Sequence, residues 1–154
     1  MNISIRNAVR SDAVTIVRFN AAMADETEHK TLDLRLLHDG VNGLFDHPEY
    51  GFYILAESDG EIVGQIMITY EWSDWRNGVF WWIQSVYVKP EFRSRGVFRM
   101  LFDHISSTAS GRETVCGFRL YVERENERAQ RVYEAMGMKQ TRYEMYEKDF
   151  SVNG

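Results

Sequence analysis

The stretch from Val86 to Arg99, Val-Tyr-Val-Lys-Pro-Glu-Phe-Arg-Ser-Arg-Gly-Val-Phe-Arg, carries the strongest chemical signal in the chain. An apolar strand pattern stops at Pro90, which cannot donate to a ladder. A short basic loop with Gly96 follows, and helical spacing begins after it. Backbone N–H groups at a helix start, with the positive end of the helix dipole, bind anions. A glycine there lets the backbone approach an oxygen closely. Lys89, Arg93, Arg95 and Arg99 add four positive charges to this stretch, so the expected ligand is phosphorylated. The same residues would also suit a plain strand-to-helix connection with solvated arginines. No Gly-Lys-Ser/Thr follows, which excludes a Walker loop, and the absence of Gly-x-Gly excludes a dinucleotide fingerprint.

Two other groups invite a chemical reading. Glu26, Glu28 and His29 fall in an acidic stretch read as an interhelical loop, and Glu71 and Asp74 lie near a hairpin. Each is either a solvated surface charge or a proton acceptor. Six aromatic residues, Tyr70, Trp72, Trp75, Phe80, Trp81 and Trp82, crowd the same hairpin. They fit core and cross-strand pairs, an aromatic wall beside acids for a cationic amine, or the surface of a homodimer.

The elements that must hold these groups are read from periodicity. Ile3, Ile5 and Asn7 alternate as a first strand. Ser11 offers an N-cap for a helix with Val14, Val17, Ala21 and Ala22 on its apolar face. A second helix is expected over Leu32 to Leu44, with Leu34, Leu37, Val41 and Leu44 aligned. Strands follow at Phe52 to Glu57, Ile62 to Trp72 and Val79 to Val88, separated by turns at Ser58-Asp59-Gly60 and Asn77-Gly78. A helix over Arg95 to Thr108 buries Val97, Leu101, Phe102 and Ile105. Val115 to Val122 is a strand, Arg128 to Met136 a helix stopped by Gly137, and Met138 to Lys148 a closing strand. The order β-α-α-β-β-β-α-β-α-β predicts an α+β domain, a mixed and mostly antiparallel sheet flanked by helices.

Composition bounds the function. At 154 residues, with 44% hydrophobic and 27% charged residues, the chain suits one globular domain spanning 1–154. A net charge of −5 gives no bulk electrostatic case for nucleic acid. The single Cys116 excludes an internal disulfide framework and points to a reducing, cytoplasmic setting. The four histidines lack metal-ligand spacing, so no metal is expected. No signal peptide is read at the start, and the longest apolar run, Val79 to Ile83, is far too short to span a bilayer.

The pattern Val86-x-Val88-x-Pro90-x-x-Arg93-x-x-Gly96 resembles motif A of the GNAT superfamily of acyl-CoA N-acyltransferases. The usual motif is Gln/Arg-x-x-Gly-x-Gly/Ala, and Phe98 stands here at the last small position. Leu120 to Ala129, then Val132-Tyr133-Glu134-Ala135-Met136-Gly137-Met138, is similar to motif B, a strand followed by Asn126, Ala129, Tyr133 and Gly137. Ile5-Arg6 with Ser11-Asp12 is similar to the family's opening strand and helix. These segments cover most of the chain in the family's order.

The resemblance implies an N-acetyltransferase that moves an acetyl group directly from acetyl-CoA, a co-substrate, to a primary amine of a small molecule. It places pantetheine along Val86, Tyr87 and Val88, with a backbone N–H near Val86 on the acyl oxygen. The pyrophosphate meets Arg93 and the backbone of Ser94, Arg95, Gly96, Val97, Phe98 and Arg99, and Asn126 bonds the pantetheine arm. Tyr133 matches the tyrosine that protonates the departing sulfur. Relatives carry a general base at the positions of Gln84 or Tyr121, neither of which can serve here. The candidates are then Glu26, Glu28, His29, Glu71 and Asp74, or a chain of waters, and Glu26 or Glu28 leads because that region lines the acceptor side in the family. Two other readings are an acyl-CoA-binding module without turnover and an enzyme acting on a peptide or protein amine.

Overall fold

Two tight turns organise the centre of the chain. Asp59 (φ 50°) and Gly60 (φ 80°) are both left-handed, the pair that a two-residue hairpin demands. Asn77, at φ 48°, turns the next pair of strands. In the computed structural model, which describes residues 2–151, the elements run β1 Ile3–Asn7, a 3-10 turn Arg10–Asp12, α1 Ala13–Glu28, α2 Leu34–Asp46, β2 Gly51–Ser58, β3 Glu61–Ser73 and β4 Gly78–Val88. A 3-10 turn Pro90–Phe92, α3 Val97–Ser110, β5 Val115–Arg119 and α4 Glu127–Ala135 complete them. The chain divides into two compact units, one up to Leu120 and one from Tyr121 onward.

In the first unit the sheet order is β1-β2-β3-β4-β5. The first four strands pair antiparallel and β5 pairs parallel with β4, the mixed α+β sheet expected from the sequence. One face packs on α1 and α2 through Ala13, Ile16, Val41, Tyr53 and Leu55. α3 buries Val97, Leu101, Phe102 and Ile105 as its periodicity predicts. It meets the sheet at Gly64, where an added Cβ would lie 3.1 Å from a Val97 methyl. The absence of a side chain at Gly64 sets how closely the first turn of α3 approaches β3.

Several expectations are corrected. Ser11 does not cap α1. Asp12 stands at that position and turns its carboxylate back to the Val9 N–H at 2.7 Å and to Arg6. The buried stripe of α1 is Ala13, Ile16, Phe19, Asn20 and Ala24, with Val14 exposed, and the helix starts one residue later than a Ser11 cap would place it. α1 also continues to Glu28, since Ala, Met and Glu sustain a helix; His29, at φ 52°, ends it. α2 starts after Asp33, whose carboxylate accepts from the Arg35 and Leu36 N–H groups, and Leu34 is exposed. β5 ends at Arg119 rather than Val122.

In the second unit Asn126 caps α4 by accepting from the Ala129 N–H at 3.1 Å. Gly137, at φ 90°, stops it as expected. Met138 N–H reaches the Tyr133 carbonyl and Gly137 N–H the Glu134 carbonyl, the paired bonds of a Schellman ending. No strand forms over Met138 to Lys148. Alternating polarity favours extended backbone, but a strand also needs a ladder partner, which alternation does not specify.

Arg6 clamps β1, β2 and the start of α1. Its guanidinium bonds both Asp12 oxygens, at 2.8 and 2.9 Å, and Glu57 at 2.8 Å. Those bonds hold the Asp12 carboxyl below the usual carboxylate range. The contribution is therefore complete above the ordinary Asp pKa and lost as pH falls through the depressed one. Asp12→Asn should cost about 2 kcal/mol at neutral pH. Thermal melts of parent and variant should converge in acid, and a gap independent of pH would contradict this role.

Candidate active site

β4 is the strand on which the site is built. Its pairing with β5 runs from Val79↔Val115 to Trp82↔Arg119 and stops. β4 itself continues to Val88, still paired with β3. From Ile83 to Val88, no strand among the described residues covers the β5 side of β4. An uncovered strand edge offers alternating donors and acceptors to an extended, amide-containing ligand.

The same segment carries a bulge. Gln65 pairs with Tyr87 and Met67 with Gln84, so Ser85 and Val86 together oppose Ile66. Ser85 has φ 51°, a left-handed conformation that costs a residue with a Cβ roughly 1 kcal/mol. Gln65 Nε2 donates to the Ser85 carbonyl at 2.9 Å and to Asn20 Oδ1 on α1 at 3.2 Å. Gln65 is fully buried, and its Oε1 has no partner. Neither Gln65 nor Asn20 was among the predicted site residues. The signal was a lone amide in the apolar run Ile62-Val63-Gly64-Gln65-Ile66-Met67-Ile68.

Beyond β4 the chain turns through Pro90–Phe92 into α3. Ser94 (φ 61°) and Gly96 (φ 81°) are left-handed, and Arg95 between them is not. That alternation makes successive N–H groups converge. Gly96 is the N-cap of α3, no side chain caps the helix, and its first turn holds no acidic residue. A Cβ on Gly96 would meet nothing within 4 Å, so the space beside it is open. Phe98 turns its ring along the helix towards Phe102, at 6.1 Å between centroids.

The predicted cations divide into two pairs. Lys89 is bound to Glu61 and Arg93 to Glu26, whereas Arg95 and Arg99 have no ion pair among the described residues. Arg95 lies over the Phe92 ring. Arg93 also donates Nε to the Val88 carbonyl at 2.8 Å and covers the Tyr87 ring. Glu26 accepts from Arg93 at 2.7 Å and from the Tyr87 hydroxyl at 3.3 Å. Burial, and then the Glu26 charge, push the Tyr87 phenol above its ordinary value. The structure thus brings Glu26, Tyr87, Val88 and Arg93 together, with Glu26 on the last turn of α1 and not in a loop. Glu28 is exposed on that turn and joins no such cluster.

The aromatic hairpin separates into parts. Trp81 and Phe80 are buried, while Trp72 and Trp75 are exposed. Glu71 accepts from Trp82 Nε1 at 3.0 Å and from Arg119 at 2.8 Å. Arg119 and Arg76 lie 3.8 and 4.9 Å from the Phe80 centroid. Where an aromatic wall beside acids was one expectation, the Phe80 ring has two guanidinium groups against it, and the Glu71 carboxylate is spanned between an indole and an arginine. Gln84 donates to Thr69 Oγ1 at 2.5 Å on the same face. In the second unit, Tyr133 lies on α4, and burial pushes its phenol above the ordinary value. The Asn126 oxygen is taken up by the helix cap, which leaves its Nδ2 donors for a ligand.

The sequence profile of the Acetyltransferase (GNAT) family matches residues 15–138. The chain belongs to the GNAT acetyltransferase family. The crystal structure of a possible acetyltransferase from Clostridium difficile 630 is 45% identical, with a TM-score of 0.91, covering 98% of this chain and 99% of that one. A predicted acetyltransferase with acetyl-CoA from Clostridium acetobutylicum shares the fold at 18% identity and a TM-score of 0.79, covering 96% of each chain. Ribosomal-protein-alanine N-acetyltransferase from Brucella melitensis biovar Abortus 2308 does so at 17% and 0.78, covering 97% of this chain and all of that one. No curated protein matches the chain. Among the described residues no helix is long and apolar enough to cross a membrane, and no cluster of His, Cys, Asp and Glu could hold a metal ion.

The open space at Gly96 separates two effects of substituting this GNAT loop residue. Gly96→Ala introduces no clash, so its cost is left-handed strain alone, about 1 kcal/mol. Urea unfolding should show that loss, and an unchanged midpoint would mean that the loop relaxes without penalty.

Proposed function

We propose that this GNAT protein transfers an acetyl group from acetyl-CoA to the primary amine of a small, amino-acid-like acceptor by direct attack. The observation that carries the reading is the parting of β4 from β5 immediately before an uncapped, glycine-led helix. An extended amide arm fits the uncovered edge at Val86, Tyr87 and Val88. A pyrophosphate fits the converging N–H groups from Ser94 to Arg99, with charge supplied by Arg95 and Arg99, which pair with no carboxylate among the described residues. Both units form one acetyltransferase domain in this reading, supported by a family match that runs across Leu120.

The thioester supplies an activated acetyl group. The backbone N–H near Val86 donates to the acyl oxygen as negative charge develops there. The amine nitrogen forms a bond to the carbonyl carbon, the C–S bond breaks, and the Tyr133 hydroxyl gives its proton to the sulfur. Its raised pKa keeps that phenol protonated at neutral pH, the state a general acid requires. Glu26, which already touches the β4 residue Tyr87, is the carboxylate assigned to accept the amine's proton, in preference to Glu28. Asn126 donates through Nδ2 to the pantetheine arm.

The test is release of CoA thiol in the presence of a panel of amino acids, simple amines and peptides. Turnover with an amino acid is the expected result. Turnover with peptides alone would overturn the small-acceptor assignment, and binding without turnover on any amine would overturn the enzyme reading. Tyr133→Phe should lower kcat about tenfold or more with little change in KM for acetyl-CoA. Glu26→Gln should lower kcat and Glu28→Gln should not. Equal rates for Tyr133→Phe and parent would remove the tyrosine from the acid role.

A further inference from the structure

We infer that Gln65 is a positioning residue for acetyl transfer: from the centre of β3 it holds the β4 bulge in the shape that turns the Val86 N–H towards the reacting carbonyl. The inference rests on the reading that places the acyl oxygen near Val86, and it adds a residue that no motif of the chain contains. Ser85 and Val86 share one opposing residue, Ile66, so the ladder alone does not determine how the extra residue is folded. The Ser85 backbone is left-handed, a conformation that persists only where its surroundings hold it.

Gln65 provides that hold. It is fully buried, and its Nε2 bonds the Ser85 carbonyl at 2.9 Å. A carbonyl accepts and cannot donate, so only the amide's nitrogen can face it. Asn20, buried on α1, takes the second Nε2 proton at 3.2 Å and fixes the amide's orientation. Gln65 Oε1, on the other side of the amide, is buried without a partner. An apolar side chain of the same length would remove that oxygen and also leave the Ser85 carbonyl and the Asn20 oxygen without this donor. Asn20 and Gln65 also link α1, which carries Glu26, to the strand that carries Val86.

Nitrogen-labelled protein and Gln65→Met, which keeps length and loses the donor, separate the alternatives. In the parent, adding acetyl-CoA should shift the Val86 amide resonance. In Gln65→Met the affinity for acetyl-CoA should stay within roughly threefold, the shift at Val86 should disappear, and kcat should fall about tenfold or more. Asn20→Ala should lower kcat by less, and the double variant should lose no more than Gln65→Met alone. If Gln65→Met does not fold, Asn20→Ala carries the same test through the Val86 shift and the split between kcat and KM. A parent Val86 resonance that ignores bound acetyl-CoA defeats the acyl-site reading and the inference with it. A normal parent shift that survives unchanged in the variants, with kcat within about twofold, overturns the Gln65 role alone.

Discussion

Every part of the candidate site depends on one conflict in β4. The strand stays paired with β3 to its end while it leaves β5 at Trp82. Opening a sheet exposes a backbone edge, which in most proteins is a liability to be covered. Here the exposed edge runs directly into Lys89, Pro90 and the loop before α3, so one continuous piece of backbone offers strand-like donors followed by helix N-terminal donors. A ligand with an amide arm and a pyrophosphate end matches that sequence of groups. The bulge at Ser85 and Val86 lies inside this segment, and the buried Gln65 amide contributes the bond that the ladder cannot.

Electrostatics at the site are more restrained than a count of charges suggests. The sequence places four cations near Gly96, yet Lys89 and Arg93 meet Glu61 and Glu26. Arg93 works as a tie between the Val88 carbonyl, the Tyr87 ring and the end of α1. This leaves Arg95, Arg99 and backbone N–H groups for an anion, a softer site than four free charges would make. It also means that the carboxylate proposed to receive the amine's proton is anchored to the same loop that would hold the cofactor.

The sequence revealed most of this architecture where local rules decide the outcome. Asp59-Gly60 and Gly137 are conformationally demanding, and both behave as read. The buried stripe of α3 follows from Val97, Leu101, Phe102 and Ile105, because a long helix on a sheet obeys its period. What was missed depends on partners distant in sequence. Ser11 suits a cap by its neighbours alone, whereas the cap position falls on Asp12, which Arg6 and Val9 engage. Glu26 looked like a loop residue because an acidic run reads as solvated, and nothing nearby announces Arg93, 67 positions on. The strand expected after Met138 failed for want of a partner. Gln65 was visible as a polar interruption of an apolar run, but its bond to Ser85 needed the bulge, which no local pattern marks.

In the proposed function the parted β4 edge and the Gly96 loop together make an acyl-CoA site. Calorimetric titration of the purified protein with acetyl-CoA tests it most directly. One site per chain with micromolar affinity is expected, with Phe98 tolerated because its ring lies along α3. No binding up to millimolar acetyl-CoA would contradict it, and the loop would then be architecture alone.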